Sequence, residues 1–158
     1  NALAAAIYNV DKAIFGYGGL SSAPYYTAAT NLVGNTGIVA SDSTGVGTIR
    51  DKLAAASYGA DKAIFGYGED GSGPMFLSIT NLVSNTGVVA TNTTGVGTIR
   101  SALAAAGYGI GLAIFGYVTN GSDLSMTNLV SYTGVVATDT TGVGTGRQGL
   151  AAASYGLA

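Results

Sequence analysis

The chain has 158 residues, 26 of them glycine, and carries 6 Lys and Arg against 8 Asp and Glu, for a net charge of −2. It has neither His nor Cys, which excludes a His-containing catalytic triad, a Cys–His dyad, a disulfide framework and an ordinary zinc site. The weakly acidic balance also excludes the clustered basic surface that nucleic-acid binding requires, so we expect no nucleic-acid partner.

The chain is an internal repeat. Residues 1–50 and 51–100 are identical at 31 of 50 positions, and the segment Thr-Gly-Val-Gly-Thr-Ile-Arg that ends at Arg50 recurs at Arg100. A closely similar third segment ends at Arg147. The sequence therefore predicts one continuous repeat domain, part of a longer array, with units at residues 1–50, 51–100 and 101–147 and the start of a fourth at 148–158.

Four short strands are predicted in each unit, and the second unit gives them in chain order. The first covers residues 53–58 and leads through a Gly-Ala-Asp turn into the second, residues 62–67. The third, residues 76–84, partly alternates apolar and polar side chains, and the fourth, residues 88–93, is rich in β-branched residues. As an alternative, residues 51–57 form a short helix, since alanine is the best helix former.

Four strands in about 50 residues is the size of one β-propeller blade. We therefore expect an all-β repeat protein of three four-stranded blades plus part of a fourth. The alternatives are a β solenoid or, if the alanine-rich segment is helical, a β/α solenoid.

The unit resembles a kelch-type β-propeller blade. Arg100 takes the position of the kelch arginine, residues 63–66 match the apolar strand, and residues 80–82 (Thr-Asn-Leu) match a later motif. Tyr67 splits the expected glycine pair, and Leu82 and Val83 stand where kelch repeats carry Trp. The repeat also resembles kelch-like arrays of phage virion proteins, and this resemblance implies a tail fibre or another virion appendage.

One segment, which we call the variable window, differs between units. It has 13 residues at 18–30 and at 68–80 but 10 at 118–127. A segment that tolerates deletion inside a strict repeat is predicted to be a surface loop, where binding residues concentrate. If the chain binds a surface glycan, the candidate residues are Tyr25, Tyr26, Asp70, Phe76, Asn120 and Asp123.

The only charge kept in every unit is the arginine at its end. Arg50, Arg100 and Arg147 are predicted to act as structural latches between units, bonding loop carbonyls while their stems pack on tyrosine. The alternative is an anion-binding ring. The recurring tyrosines are likewise predicted to pack between units, with stacking on sugars as the alternative. They are Tyr8, Tyr58, Tyr108 and Tyr155 at one position and Tyr17, Tyr67 and Tyr117 at another.

The remaining polar motifs predict no chemistry. The Asp-Lys pair at 11–12 and 61–62 is missing from the third unit, so we interpret it as a solvated turn rather than a catalytic pair. We expect no enzymatic activity, no metal and no cofactor. Asn92 and Asn120 lie in glycosylation sequons, which would be used if a glycosylating host secretes the chain.

The uncharged run at residues 102–118 is short for a membrane span. Its counterpart at 52–68 holds Lys52, Asp61 and Lys62. Because equivalent units share one environment, we expect no membrane span.

These features predict a non-catalytic structural repeat protein of a virion appendage or extracellular fibre. The alternative is a β-propeller module that binds a glycan or host surface through the variable windows. The expected location is a virion or the extracellular space, and the expected partners are copies of the chain itself or further repeats of it.

Overall fold

The computed structural model describes residues 3–72 and 75–154. Three stretches lie outside them: residues 1–2 of the predicted first unit, residues 73–74 of the second variable window, and residues 155–158, which include Tyr155, of the predicted fourth unit. The described residues form nine strands and no helix, which confirms the all-β prediction. The strands are β1 (Ala4–Tyr8), β2 (Lys12–Gly19), β3 (Tyr26–Val33), β4 (Ala54–Tyr58), β5 (Lys62–Gly66), β6 (Thr80–Val83), β7 (Ala104–Tyr108), β8 (Leu112–Thr119) and β9 (Asp123–Val130).

Each repeat folds into its own antiparallel sheet. Within the described chain the strand orders are β1-β2-β3, β4-β5-β6 and β7-β8-β9. The register repeats as well: Ala4 lies opposite Gly16 in the first sheet, and Ala54 lies opposite Gly66 in the second. Equivalent residues therefore occupy equivalent places in successive sheets.

The helix considered for residues 51–57 does not form. β4 begins at Ala54 and pairs residue by residue with β5, as far as Tyr58 opposite Lys62. Its alternate side chains are buried, as expected for a strand with one face in the core. Ladder hydrogen bonds and burial outweigh the helix propensity of three alanines, which is only a weak local preference. The β/α solenoid alternative is therefore wrong.

The fourth predicted strand of each unit is an irregular extended segment. In the second unit it is joined to β6 by two isolated bridges, Val83 with Val89 and Thr80 with Thr93. Three positions separate the bridges on β6 but four separate them on the other segment, so the register shifts by one residue between them. The Asn81 side chain donates to the Ala90 carbonyl at 3.0 Å in this interval. The described part of each unit is thus a three-stranded sheet with a bridged segment along its edge.

The sheets stack on one another, with β1 beside β4 and β4 beside β7. Glycine makes the close approach possible: a Cβ atom on Gly16 would lie 2.8 Å from the Phe65 ring, and one on Gly66 would lie 2.7 Å from the Phe115 ring. Each aromatic ring therefore packs directly on the backbone of the preceding unit.

Two buried clusters result, one at each junction. The first contains Tyr8, Ile14, Tyr17, Leu53 and Phe65 among others. The second contains Tyr58, Ile64, Tyr67, Leu103 and Phe115 among others. The apolar core thus lies between units rather than inside a single sheet.

Candidate functional site

Arg50 is buried at the junction between the first and second units, with no exposed surface. Its Nε donates to the carbonyl of Tyr67 at 2.9 Å, and its Nη2 donates to Oδ1 of Asn81 at 2.7 Å, both in the second unit. Its Nη1 donates to the carbonyl of Thr48 at 3.1 Å, in its own unit. The guanidinium therefore joins two units through polar groups that burial would otherwise leave unpaired.

Tyr17 covers the face of the Arg50 guanidinium, with Cζ of the arginine 4.2 Å from the ring centroid. Tyr17 follows Gly16 at a bulge in β2 and has a φ of 61°, which is uncommon for a residue with a side chain. Tyr67 and Tyr117 repeat this backbone conformation, with φ of 64° and 50°. The Gly-Tyr pair thus places one tyrosine ring beneath the terminal arginine of each unit.

The hydroxyl groups of these tyrosines hold the following loop. The Tyr17 hydroxyl donates to the Val46 carbonyl at 2.9 Å, and the Tyr67 hydroxyl donates to the Val96 carbonyl at 3.3 Å. Burial raises the pKa of Tyr67 to about 12. Since both rings are buried, neither offers the open face that stacking on a sugar requires.

The second junction uses a carboxylate. Arg100 is fully buried and forms a salt bridge with Asp139 of the third unit, 2.9 Å from Nη1 to Oδ1. Asp139 also accepts hydrogen bonds from Nδ2 of Asn128 at 2.9 Å and from the backbone N–H of Thr98 at 2.9 Å. Burial by itself would raise the pKa of Asp139, but the hydrogen bonds from Thr98, Asn128 and Arg100 hold it well below the ordinary value.

The two junctions differ in how the arginine is paired. Nε and Nη2 of Arg100, and Oδ1 of Asn128, are buried without a partner, whereas Nε and Nη2 of Arg50 are both bonded. At the first junction Asn92 replaces the carboxylate of Asp139 and accepts from Asn81 at 3.0 Å. The Arg100–Asp139 ion pair thus takes the place of the two hydrogen bonds that Arg50 forms through Nε and Nη2.

The anion-ring alternative requires exposed guanidinium groups. Arg50 and Arg100 are closed off inside the two junctions. Arg147 is exposed and lies 4.4 Å from the centroid of the Tyr117 ring. The contacts of Arg50 and Arg100 are those of a latch, and the energetic role of all three arginines stays a prediction for substitution experiments.

The first two variable windows touch each other. Tyr25 is 60% exposed at a φ of 64°, and Tyr26 begins β3. The Tyr26 ring lies against Gly71 of the second window, where a Cβ atom would be 2.7 Å from the ring. Asp70 accepts a hydrogen bond from the backbone N–H of Ser72 at 2.9 Å, which closes the tip of its own loop.

The other candidate residues stand apart. Phe76 is partly buried and bridges to Glu69, while Asn120 and Asp123 lie on the exposed β8–β9 hairpin. Three cavities in the described part of the chain, of about 650, 340 and 230 Å³, are lined by other residues. None of the six candidates lines any of these three cavities.

The sequence analysis missed a charged cluster at the base of the second window. Nζ of Lys52 lies 2.6 Å from Oε1 of Glu69, and Oε2 of Glu69 accepts a hydrogen bond from the Ser101 hydroxyl at 3.1 Å. Asp51 forms a backbone bridge with Glu69, and its Oδ1 is buried without a partner. Burial, and next the Glu69 carboxylate, raises the pKa of Asp51. One signal was available, since only the second unit carries carboxylates at both positions.

Among the described residues no group of three or more His, Cys, Asp and Glu side chains is placed to hold a metal ion. Residues 3–72 and 75–154 also contain no helix with the length and hydrophobicity that a membrane span requires.

The two sequons lie in different surroundings. The Asn92 amide nitrogen donates to the Thr48 hydroxyl at 2.8 Å and so takes part in the first junction. Asn120 is on the exposed hairpin, where its Oδ1 accepts from the N–H of Ser122 at 3.4 Å. Glycosylation of either asparagine stays a prediction.

The chain matches no protein-family model and no curated protein. The junctions and the variable windows are therefore the basis for a functional proposal.

Proposed function

We propose that this chain is a non-catalytic structural repeat protein of a virion appendage or an extracellular fibre. The supporting observation is the pair of junctions in which Arg50 and Arg100 are fully buried and bond groups of two units. Guanidinium groups closed off in this way serve cohesion between neighbouring units. In repeat proteins such interfaces provide much of the stability.

The units are, in this proposal, kelch-like propeller blades. The bridged segment after the third strand lies at the sheet edge where a fourth strand would pair. The first strands of successive units are neighbours, as the inner strands of propeller blades are. Closed propellers typically have 4–8 blades, so closure would require units beyond the three described here.

Immunogold electron microscopy with antibodies against the chain tests the proposed role in cells and virus particles that carry the gene. Label along appendages or extracellular fibres would support it, and label confined to the cell interior would contradict it. Antibody preabsorbed with the purified chain is the control.

A glycan-binding or host-surface-binding module is the second candidate. The observation in its favour is Tyr25, which is largely exposed and has a positive φ; it precedes Tyr26, whose ring lies against Gly71 of the second variable window. Exposed aromatic faces stack on sugars, and backbone strain of this kind is common at functional sites.

A glycan array with the wild-type chain tests this candidate. Binding that is lost in Tyr25→Ala but kept in Tyr132→Ala, an exposed tyrosine outside the variable windows, would support it. The absence of binding to every glycan would exclude that ligand class and leave the structural role.

A further inference from the structure

Asn120 and Gly121 lie at the tip of the β8–β9 hairpin, in the third variable window. β8 ends at Thr119, β9 begins at Asp123, and these two residues pair, so residues 120–122 form the connecting loop. All three loop residues are exposed. Gly121 has a φ of 106°, a conformation that glycine adopts more readily than residues with a side chain. The hairpin thus has its least shielded backbone position directly after an asparagine.

An asparagine that precedes glycine is chemically labile. The backbone nitrogen of the following residue can attack the carbonyl carbon of the asparagine side chain, and a side chain on that following residue shields the nitrogen. Asparagine is for this reason among the thermolabile residues that proteins of hot environments carry less often. Asn120 is the one asparagine of this chain that precedes glycine, whereas the others precede Ala, Val, Leu or Thr.

The structure leaves the two reacting groups open. No described atom lies within 4 Å of the place that a Cβ on Gly121 would take. The Gly121 N–H donates to the hydroxyl oxygen of Thr119 at 3.2 Å, a contact within the loop rather than a ladder bond. Oδ1 of Asn120 accepts from the N–H of Ser122 at 3.4 Å, which folds the side chain back toward the backbone that follows it. This hydrogen bond also polarises the carbonyl group that the nitrogen would attack.

The second variable window carries a related pair that is closed off. Asp70 and Gly71 form the one Asp-Gly pair of the chain, and aspartate can follow the same route. A Cβ atom on Gly71 would lie 2.7 Å from the Tyr26 ring, so this ring covers the glycine. Oδ1 of Asp70 accepts from the N–H of Ser72 at 2.9 Å and from its hydroxyl at 2.7 Å. Because an ionised carboxylate held in this way is a poor electrophile, we expect the second window to be stable.

The other asparagines are protected by burial or by their neighbours. Asn81 and Asn128 have no exposed surface, and their amide nitrogens donate to backbone carbonyls at 3.0 and 2.9 Å. Asn35 is exposed, but it precedes Thr36, whose β-branched side chain shields the backbone nitrogen. Among the described asparagines, exposure and a following glycine coincide at Asn120 alone.

We propose that Asn120 is a site of spontaneous deamidation. The Gly121 nitrogen loses its proton to hydroxide and attacks Cγ of Asn120. The bond between Cγ and Nδ2 then breaks, and the amide nitrogen takes up a proton from water and leaves as ammonia. One water molecule opens the resulting succinimide ring at either of its two carbonyls, which gives aspartate or isoaspartate at position 120. Water is the co-reactant, and nothing is oxidised or reduced.

The product changes the chemistry of the third variable window. It adds one carboxylate to the hairpin tip that already carries Asp123, so the net charge of −2 becomes more negative by one. Isoaspartate also inserts a methylene group into the main chain. Because Asn120 is the asparagine of the sequon at residues 120–122, a chain that has deamidated there can no longer accept a glycan at this position.

Peptide mapping of the full chain after incubation at mildly alkaline pH tests the site. Trypsin releases residues 101–147 as one fragment, in which fragment-ion masses distinguish position 120 from Asn128. Aspartate and isoaspartate should both accumulate at Asn120, with one heavy oxygen atom per converted residue when the incubation is carried out in heavy-oxygen water. Asn35 is the internal control and should keep its amide over the same period.

Three variants separate this reaction from other changes at the loop. Gly121→Ala should slow the conversion at least several-fold, because the methyl group shields the attacking nitrogen. Asn120→Gln should stop it, since the longer side chain would have to close a larger ring. Ser122→Ala removes the sequon but keeps the Asn-Gly pair, so it should react like the wild type. Circular dichroism establishes that each variant is folded.

A synthetic peptide of residues 117–124 gives the rate of the same sequence without the fold. Because the loop is open, the folded chain should convert within several-fold of the rate of the peptide. The proposal is overturned if folded Asn120 keeps its amide while the peptide converts, if Asn35 converts equally fast, or if Gly121→Ala has no effect. The reaction does not depend on the proposed structural function, which immunogold labelling tests separately.

Discussion

The guanidinium carbon of Arg100 lies 4.1 Å from the centre of the Tyr67 ring, and both side chains are fully buried. The same guanidinium reaches across the junction to Asp139. Arg100 thus connects the bulge of its own unit with the edge segment of the next. A charge so enclosed destabilises the fold strongly if its partner is removed.

Arg100→Ala should lower the free energy of unfolding by about 3–5 kcal/mol, because the Asp139 carboxylate and the Thr98 carbonyl lose their buried cation. Urea denaturation followed by tyrosine fluorescence measures the change. Lys62→Ala is the control, since Lys62 pairs with Asp61 at the surface, where an exposed ion pair contributes little, so this substitution should be far less destabilising. Equal effects of the two substitutions would contradict the latch.

Asp139→Asn should reduce the sensitivity of the fold to acid. The pKa of Asp139 is lower in the folded chain than in the unfolded one, so its contribution is present above the ordinary pKa of about 4 and is lost as the pH falls below it. Because the first junction holds an asparagine, Asn92, at this place beside its own buried arginine, we expect a loss of only about 1–2 kcal/mol at neutral pH and a flatter decline in stability below pH ~4. Thermal melts across this pH range provide the measurement.

The reciprocal change, Asn92→Asp, places a carboxylate at the first junction. It should make the acid-induced loss of stability steeper than in the wild type, because the new carboxylate would lie in the equivalent place near Arg50. If the melting temperature of both variants depends on pH as it does in the wild type, a carboxylate at this position does not contribute to stability.

Gly66→Ala should weaken the second junction. The added methyl group would lie 2.7 Å from the Phe115 ring, so the two sheets must separate, at a cost of about 1–3 kcal/mol. Gly34→Ala is the matched control: its nearest neighbour would be 3.8 Å away, and serine stands there in the other two units. Equal melting temperatures for the two variants would rule out close packing at Gly66.

The sequence was sufficient to predict the repeat and the two strands that form each first hairpin, and the recurrence of Arg50 and Arg100 singled these residues out for study. Exact recurrence identifies such residues without any three-dimensional information. It does not identify their partners, because Asn81 and Asp139 meet the arginines only when the sheets stack.

For a related reason, the sequence does not predict that the fourth segment departs from a regular strand or that Asp51 and Glu69 come into contact. β-Branched residues at 88–93 suit a strand, but the one-residue shift between the two bridges breaks the ladder, and composition does not reveal register. Asp51 and Glu69 are likewise far apart in sequence and become neighbours through a single bridge. Local propensity predicts the strands of a hairpin, but it does not predict which distant segments come into contact.

Replacing residues 18–30 and 68–80 with the sequence of 118–127 should leave the fold intact. In each unit the window lies between paired residues, Gly16 with Thr30 in the first and Gly116 with Thr127 in the third, so the shorter hairpin joins equivalent positions. The replacement removes Glu69 and its ion pair with the half-exposed Lys52, a loss of about 1 kcal/mol or less.

The same variant tests whether the variable windows recognise a ligand. If the wild-type chain binds a glycan or host surface, the variant should lose that binding while its circular dichroism and melting temperature stay close to the wild type. Undiminished binding in the folded variant would exclude the first two windows from recognition. The adhesive surface would then lie in the third window or in the glycine-rich segments that the units share.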